Sequence, residues 1–461
     1  MKHDQLLALC QRYSAVLLSN DERVLSIAVV DTPPQELMDA LRFATQKRID
    51  IECWDRPRME QHQQTDRESH LPAARNDNGD VVELLNQTLQ QALQQRASDI
   101  HFEPCAESLR VRLRVDGVLY ALPDFSPALS APLAARLKVL GGLDIAERRL
   151  PQDGQFTVDI AGNNVSFRIA TLPCRGGEKV VLRLLHQVKQ TLDINTLGMS
   201  EAQQQTFLHA LRQPQGLLLV TGPTGSGKTV TLYSALQARN TPEINICSVE
   251  DPVEIPLPGI NQTQINSRAG LTFQNVLRSL LRQDPDIVMV GEIRDAETAE
   301  IAIKAAQTGH LVLSTLHTNS TTETLVRLQQ MGVARWMVAS ALLVVVAQRL
   351  VRRLCPYCRQ QQGHSTLLPA SLCTTPLPNW VASGCPRCYH GYHGRMALFE
   401  VLSITPSLKQ AILGGATPEE MEQKAKTSGM ATLLEHGCEA VRQGQTSAEE
   451  LLRVVGLHHA G

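Results

Sequence analysis

The stretch GLLLVTGPTGSGKT, residues 216–229, decides how the rest of this sequence is interpreted. Its first part, residues 216–221, is an uninterrupted apolar run of a length typical of a buried strand. Its second part, residues 222–229, matches the spacing G-x-x-x-x-G-K-S/T, and residues 229–238 are spaced as a helix. A strand that leads through such a loop into a helix gathers backbone N–H groups around one point. The stretch therefore predicts a phosphate-binding loop.

The ligand that fits this loop is ATP with Mg²⁺. We expect Lys228 to reach the β- and γ-phosphates and the Thr229 hydroxyl to bind Mg²⁺. All eight loop residues are candidate nucleotide contacts: Gly222, Pro223, Thr224, Gly225, Ser226, Gly227, Lys228 and Thr229. The alternative is a glycine-rich turn that matches the spacing by chance, and the flanking strand and helix argue against it.

Further short apolar runs occupy residues 244–249, 287–290 and 311–315, with helical spacers between them. This alternation predicts an α/β fold with a mostly parallel sheet and helices on both faces. Another apolar stretch, residues 338–347, is about half as long as a membrane-spanning helix. We interpret it as a buried helix of the core.

Acidic residues follow two of the predicted strands. Glu292 comes just after residues 287–290 and is the candidate group that orients the attacking water. Asp251 and Glu254 follow residues 244–249 and are candidates for supporting Mg²⁺. The alternative is that these are ordinary surface carboxylates in turns, since acidic turns with proline are common.

Two histidines, His310 and His317, bracket the predicted strand at residues 311–315. We assign His310 as a candidate catalytic residue that senses the phosphate. The alternative is an ordinary core or surface histidine, because the sequence does not set its protonation.

The cysteines indicate a metal site. Four of the 11 cysteines form two C-x-x-C pairs, Cys355 with Cys358 and Cys385 with Cys388. Four thiolates complete a tetrahedral shell and leave no open position, so the pattern predicts a structural zinc ion in a small lobe at residues 351–396. Unligated thiols are the alternative.

A chain of 461 residues suits two or three domains. We divide it into a small N-terminal domain (1–60), a polar linker (61–80), a second domain (81–185), a second linker (186–197) and the α/β domain with its lobe (198–461). The N-terminal domain should contain a strand at residues 24–30 and a helix at 34–45. The second should contain an amphipathic helix at 81–97 and a hairpin turn at Asp116-Gly117.

Charge and hydropathy limit the partners. Lysine and arginine total 44 and aspartate and glutamate total 46, so there is no basic field and nucleic acid is not an expected partner. The first ten residues lack the features of a signal peptide. We therefore expect a cytoplasmic protein that reaches the membrane only through partners.

Several motifs in a fixed order make the chain resemble the ATPases of type II secretion and type IV pilus assembly (the GspE/PilB type), and in particular their enterobacterial pilus-assembly branch. The resemblance runs from residue 81 to the C-terminus. Besides the loop, the carboxylates, Gly309-His310 and the cysteines, it includes residues 98–104 (SDIHFEP), 114–117 (RVDG), 150–154 (LPQDG) and 177–179 (GEK).

The resemblance implies a homohexameric ring of RecA-like ATPase domains, each preceded by a PAS-like α+β domain, with nucleotide between the two. It also implies phosphate contacts from arginines, and the matching positions are Arg168, Arg278, Arg282 and Arg294. The implied partners are an inner-membrane platform protein (GspF/PilC type) and a cytoplasmic-membrane adaptor. The protein would then be peripheral at the inner membrane.

The sequence departs from the family pattern at one position, and three alternative functions remain open. The family usually has arginine where this chain has Gln155, which leaves open a nucleotide-binding scaffold with little turnover. A pilus-retraction motor is a second alternative, which the four-cysteine lobe and the N-terminal extension disfavour. A third is a DNA translocase that grips DNA with a basic cluster near the cysteines, although aromatic residues make up only 4% of the chain.

Overall fold

The computed structural model describes residues 15–20, 24–30, 33, 38, 47–54, 81–160, 162–185, 192–266, 269–367 and 376–456. Near the N-terminus three strands form a small sheet: β1 (Val16–Asn20), β2 (Val24–Val30) and β3 (Arg48–Trp54). The middle strand β2 is antiparallel to β1 and parallel to β3, and it coincides with the predicted strand. The helix predicted at residues 34–45 lies, except for residue 38, outside the described residues.

Residues 81–185 form the PAS-like domain. Its elements are α1 (Val81–Gln94), β4 (Ala97–Pro104), β5 (Leu109–Val115), β6 (Val118–Ala121), α2 (Ser130–Leu140), β7 (Gln152–Ile160), β8 (Asn163–Cys174) and β9 (Gly177–Leu185). The strands form one antiparallel sheet in the order β6-β5-β4-β9-β8-β7. Alternate residues of each strand face α1 and α2, and Phe102, Val111, Leu137 and Ile169 are buried there. The expected α+β arrangement is confirmed.

The hairpin between β5 and β6 turns at the two residues that the sequence indicated. Asp116 and Gly117 both have positive φ, 49° and 88°. Two consecutive left-handed residues match the twist of the flanking strands, which is why Asp-Gly is favoured at such turns. The hairpin lies at the edge of the sheet, because β6 is the first strand in the sheet order.

Residues 198–456 form the RecA-like domain. Its elements are α3 (Glu201–Leu211), β10 (Gly216–Thr221), α4 (Lys228–Arg239), β11 (Ile246–Glu250), β12 (Asn261–Gln264), α5 (Phe273–Leu280), β13 (Ile287–Val290), α6 (Ala296–Gln307), β14 (Leu311–Leu316), α7 (Thr321–Gln330), α8 (Arg335–Ala341), β15 (Leu342–Leu354), β16 (Arg359–His364), β17 (Pro378–Ala382), β18 (Tyr392–Ser403), α9 (Pro406–Gly414), α10 (Pro418–Thr427), α11 (Leu433–Arg442) and α12 (Ala448–Val455).

The central sheet has the order β12-β11-β13-β14-β10-β15-β18. Its first six strands are parallel and β18 is antiparallel to β15. Every residue of β10 is buried, because one hydrophobic cluster covers each face of the sheet. The predicted parallel α/β architecture is confirmed, and the carboxyl ends of β10, β11, β13 and β14 lie along one edge, where ligands bind in such folds.

The interpretation of residues 338–347 as a buried helix is wrong for most of the segment. Helix α8 ends at Ala341, and β15 begins at Leu342. The run is buried as expected, but from Leu342 it hydrogen-bonds to β10 on one side and to β18 on the other. A short apolar run carries no periodicity that separates a buried strand from a buried helix, and the three valines at 344–346 favour the strand.

Beyond β15 the chain forms the four-cysteine lobe, in which β16 and β17 pair as an antiparallel ribbon. The last helices, α11 and α12, pack against β15 and β18 through buried residues that include Leu434, Val441 and Leu451. In the described part of the chain, helices that combine the length and apolar character needed to cross a bilayer are absent.

Candidate active site

The glycine-rich loop joins the end of β10 to the start of α4, as predicted. Gly222 and Gly227 have φ values of 149° and 89°, which side chains disfavour, and α4 begins at Lys228. The ammonium of Lys228 donates hydrogen bonds to the carbonyl oxygens of Gly222, at 2.7 Å, and Pro223, at 3.1 Å. Burial lowers the pKa of Lys228 to about 8, and the negative charge of Glu292 opposes this shift.

Two observations indicate that the loop fits a phosphate group. A Cβ atom at Gly222 would lie 2.4 Å from the carbonyl oxygen of Gln348, so only glycine allows this close approach. Among the described residues, the buried Ser226 hydroxyl has no hydrogen-bond partner. A buried polar atom without a partner is costly unless a ligand or water satisfies it, and here it sits at the N-terminus of α4, where anions bind.

Gln348 supports the loop from β15, and the sequence analysis missed it. Its side chain is buried, with 2% of the residue exposed, and its Oε1 accepts a hydrogen bond from Thr231 of α4 at 2.7 Å. Its Nε2 lies 2.8 Å from where a Cβ of Gly227 would be. One residue therefore contacts the loop near both of its ends. The available signal was a polar residue directly after the apolar run at residues 338–347, but that run was interpreted as a helix.

Replacing Gln348 with alanine is expected to weaken ATP binding about tenfold, because loss of a buried hydrogen bond and a small cavity beneath the loop cost about 1–2 kcal/mol. Titration with a fluorescent ADP analogue measures the affinity without hydrolysis. The matched control is Gln330→Ala, at an exposed position of α7. Equal affinity in the two variants would contradict a supporting role for Gln348.

Glu292 follows β13 at the carboxyl edge of the sheet, where the sequence analysis put the water-orienting group. Its carboxylate forms an ion pair with Arg294, and its Oε2 is 3.3 Å from Nε2 of His317. Burial alone would raise the pKa of Glu292, but the hydrogen bond and charge of Arg294, with smaller contributions from His317, hold this pKa below its usual value. The carboxylate is thus ionised at neutral pH and can accept a proton or orient a water molecule.

The acidic segment after β11 divides into two parts. The Glu250 side chain points inward, where it accepts hydrogen bonds from Ser248, at 2.6 Å, and from Tyr233. Asp251 and Glu254 line the open space beside the loop, which Glu250 also borders. Glu250 therefore orders this segment, while the two predicted carboxylates remain free to face a metal ion.

This open space is a cavity of about 1770 Å³ between the PAS-like and RecA-like domains. On the RecA-like side it is lined by the loop from Pro223 to Thr229, by Glu292 and by His317. On the other side it is lined by arginines of the PAS-like domain, namely Arg96, Arg114 and Arg183. Carboxylates and guanidinium groups line both walls, and such a lining suits a bound Mg²⁺–triphosphate.

Two of these arginines, Arg114 and Arg183, belong to a row that crosses five strands of the PAS-like sheet. The cross-strand partners in this row are Arg114, Asp99, Arg183, Arg168 and Gln155. Asp99 is buried and accepts a hydrogen bond from Arg183 at 2.9 Å. Arg114 and Arg183 line the cavity, whereas the predicted contact Arg168 lies one strand farther out, near Asp153. Sequence reasoning missed Arg114 and Arg183, although alternation along β5 placed Arg114 on this face.

Four other predicted contacts, Arg278, Arg282, Arg294 and His310, lie outside the cavity lining, and Arg294 pairs with Glu292 instead. Arg278 of α5 is exposed and paired with Glu297 at 2.6 Å, and Arg282 donates to the Arg278 carbonyl oxygen. His310 precedes β14, at the end of the sheet opposite the loop, and its Nδ1 is 3.1 Å from the Ala305 carbonyl oxygen. A phosphate on the loop is out of reach from there, so the geometry does not support the phosphate-sensing role expected of His310. His317, beside Glu292, occupies the place that such a role requires.

The four predicted metal ligands come together. The sulfur atoms of Cys355, Cys358, Cys385 and Cys388 all lie within 4.8 Å of one another. The separation is 3.8 Å between Cys355 and Cys385, 3.7 Å between Cys358 and Cys388, and 3.6 Å between Cys385 and Cys388. A tetrahedron with Zn–S bonds of ~2.3 Å has edges of about 3.8 Å, so the cluster fits a structural zinc ion.

Comparisons with known proteins agree with this architecture. The family model "Type II/IV secretion system protein" matches residues 74–453, and an MshEN domain model matches residues 5–57. The chain is 66% identical to the protein transport protein HofB homolog of Escherichia coli K12. The alignment spans 459 residues and covers 100% of both chains. It is 42% identical to the type IV pilus assembly ATPase PilB of Acinetobacter baylyi, over 97% of this chain and 83% of that protein.

Among solved structures, the pilus retraction motor PilT with bound ADP superimposes with a TM-score of 0.54 at 25% identity, over 80% of this chain and 96% of that one. The retraction motor is thus a more distant relative than the assembly ATPase. With a family model that spans most of its length, and with a phosphate-binding loop that faces a cleft of carboxylates and arginines, this chain belongs to the type II/IV secretion system protein family and is an ATPase of that family.

Proposed function

We propose that this ATPase couples ATP hydrolysis in its interdomain cleft to the assembly of pilin-like subunits, or to type II secretion. The observation that carries this proposal is the cleft itself, because the loop and Glu292 belong to one domain and the facing arginines to another. A phosphate group held from both sides links the chemistry to the relative position of the domains. The 42% identity to a pilus assembly ATPase supports assembly as the work performed.

In this proposal the side chains have separate tasks. Lys228 leaves the loop carbonyl oxygens and binds the β- and γ-phosphates, while Arg114 and Arg183 neutralise the charge on the γ-phosphate from the facing domain. Glu292 orients the attacking water and accepts its proton. Thr229, Asp251 and Glu254 would hold Mg²⁺, which neutralises phosphate charge when bound. Arg294 keeps Glu292 ionised, and His317 holds its second oxygen.

A phosphate-release assay on the purified full chain tests the enzymatic part of this proposal. Turnover that requires Mg²⁺ supports it, and binding of nucleotide without release of phosphate would favour a scaffold. Stimulation by DNA would instead favour a translocase, for which Arg349, Arg352, Arg353 and Arg359 were the basic candidates. Three of them are engaged inside the protein, Arg349 with Asn319, Arg352 with Glu450 and Arg359 with the Gly444 carbonyl oxygen, while Arg353 is exposed.

We further propose a homohexamer that acts on an inner-membrane platform protein from the cytoplasmic side. The family resemblance supports this, and light scattering of the nucleotide-bound protein tests the oligomeric state. A pull-down from membranes, scored for a polytopic platform protein, an adaptor and pilin-like subunits, tests the partners. Recovery of none of them with the intact chain would contradict the assembly role.

We propose that the four-cysteine cluster binds one zinc ion per chain. Replacing Cys385 with serine is expected to abolish zinc binding and unfold the lobe, because structural zinc contributes ~10–16 kcal/mol of apparent binding energy in small zinc domains. Elemental analysis measures the zinc content and limited proteolysis measures the order of the lobe. Cys174→Ser, at an exposed thiol of β8, is the control and should retain the metal. Full zinc content in the Cys385 variant would contradict the assignment.

A further inference from the structure

The described part of the four-cysteine lobe contacts the β5–β6 hairpin of the PAS-like domain of the same chain. The tip of the β5–β6 hairpin approaches the turn at residues 389–394, which directly follows the ligand Cys388. The carboxylate of Asp116 accepts a hydrogen bond from the backbone N–H of Gly394 at 2.9 Å. Next to this contact, the Arg352 guanidinium donates to the Tyr120 hydroxyl at 2.9 Å.

Aromatic packing completes this contact. The ring of Tyr120 lies 4.5 Å from the ring of Tyr389 in an edge-to-face arrangement, and it stacks on His390 at 5.1 Å with an interplanar angle of 6°. Tyr389 also packs against the hydrophobic core of the PAS-like domain. We call the six residues that meet here the clasp, and they are Asp116, Tyr120, Arg352, Tyr389, His390 and Gly394.

The cysteine cluster holds the lobe side of the clasp in place. Cys388 immediately precedes Tyr389, and the backbone N–H of Cys355 donates to the Gly391 carbonyl oxygen at 2.9 Å. Tyr389 and Tyr392 exchange backbone hydrogen bonds that close the turn. The turn therefore depends on the same residues that fit a zinc ion.

The clasp also stands at the wall of the interdomain cavity. Asp116 and Gly394 both line the cavity, as does Arg114, which is two residues from Asp116 on the same hairpin. Arg352 joins the clasp to the C-terminal helices, since its guanidinium is paired with the fully buried Glu450 of α12 at 2.8 Å. The position of the hairpin thus sets where Arg114 stands opposite the loop.

We propose that the four-cysteine lobe is the docking site for the β5–β6 hairpin of its own chain, so that metal binding in the lobe fixes the PAS-like domain at the edge of the nucleotide cleft. The clasp has two halves in different domains, and Asp116 in one half accepts a hydrogen bond from the backbone N–H of Gly394 in the other. This proposal concerns domain docking in the absence of nucleotide, so its failure and a failure of the proposed ATPase activity are separate results.

Hydrogen–deuterium exchange of the full chain, followed by mass spectrometry without nucleotide, tests the clasp. Tyr120→Ala is expected to raise exchange about tenfold in residues 392–396, which belong to the other domain, because the aromatic and hydroxyl contacts are lost. Tyr120→Phe keeps the ring and loses the hydroxyl, so its exchange in residues 392–396 should lie between that of Tyr120→Ala and that of the unmodified protein. Tyr357→Ala, at an exposed tyrosine of the same lobe outside the clasp, should match the unmodified protein in this segment.

A reciprocal variant separates docking from local unfolding. His390 has φ 48°, so His390→Gly removes the imidazole without backbone strain. It should raise exchange in residues 115–121 of the hairpin and leave β7, at the far edge of the same sheet, unchanged. Chelation of zinc from the unmodified protein should raise exchange in residues 115–121 to a similar degree. If either variant changes only its own domain, or if the lobe opens on chelation while the hairpin stays protected, the clasp is overturned.

Discussion

Replacing Glu292 with glutamine is expected to lower the rate of ATP hydrolysis by about 10²–10⁴-fold, with ATP affinity changed by no more than a few-fold. Glutamine preserves the shape of the side chain and can still accept a hydrogen bond from Arg294, but it cannot take a proton from the attacking water. Loss of a positioned base has an effect of this size. Steady-state phosphate release gives kcat, and titration with a fluorescent analogue gives the affinity.

The control for this substitution is Glu449→Gln, at an exposed carboxylate in the first turn of α12. It should leave both quantities unchanged, and unfolding midpoints of the two variants should agree. Turnover of the Glu292 variant within tenfold of the unmodified enzyme would contradict the assignment. Glu254 and Asp251, which line the same cavity, would then be the next candidates for the base.

Replacing Lys228 with alanine is expected to reduce kcat by about 10²–10³-fold and also to weaken nucleotide binding. The ammonium is the cation of the loop, and removing one preorganised donor from the transferring phosphate costs an amount of this order. Without nucleotide, the same ammonium holds the carbonyl oxygens of Gly222 and Pro223. Its loss should therefore also loosen the empty loop, which hydrogen exchange over residues 222–228 would detect.

Lys424→Ala, at an exposed position of α10, is the matched control. The combination of effects distinguishes Lys228 from Glu292, because the glutamate variant binds nucleotide and the lysine variant binds it poorly. A Lys228 variant with normal affinity and normal turnover would remove the phosphate loop from the mechanism altogether. In that case the cleft would have to act through its arginines alone.

The position of Gln155 bears on the scaffold alternative. In the PAS-like sheet it ends the row that begins at Arg114, and one strand, β8, separates it from Arg183, which lines the cavity of its own chain. The missing arginine therefore removes no charge from the wall of this cleft. The two arginines that do face the loop are present, which favours an active enzyme over a scaffold.

Local pattern alone predicted much of the site. The loop at residues 222–229, the carboxylate Glu292 and the four cysteines were all found in the sequence, because each depends on spacing within a short segment. The contacts between segments that are distant in the sequence were not found in this way. Gln348, Arg114 and Arg183 come from strands far from the loop in the sequence. Strand order brings Gln348 to the loop, and the packing of the two domains brings Arg114 and Arg183 to the cavity. The direction of β14 likewise determines which histidine lies near the loop. His317 follows the strand and lies at the loop end, whereas His310 precedes it and lies at the other end.

The sequence by itself determined the alternation of strands and helices in the RecA-like domain, the Asp116-Gly117 turn and the kind of ligand that the loop fits. These follow from hydrophobic periodicity and from the conformations open to glycine, which are local properties. Only the tertiary structure decided that residues 342–347 are a strand, that Arg114 and Arg183 face the loop, and that the four-cysteine lobe meets the β5–β6 hairpin. Burial and strand pairing join residues far apart in the chain, and no short stretch of sequence encodes which partner each will meet.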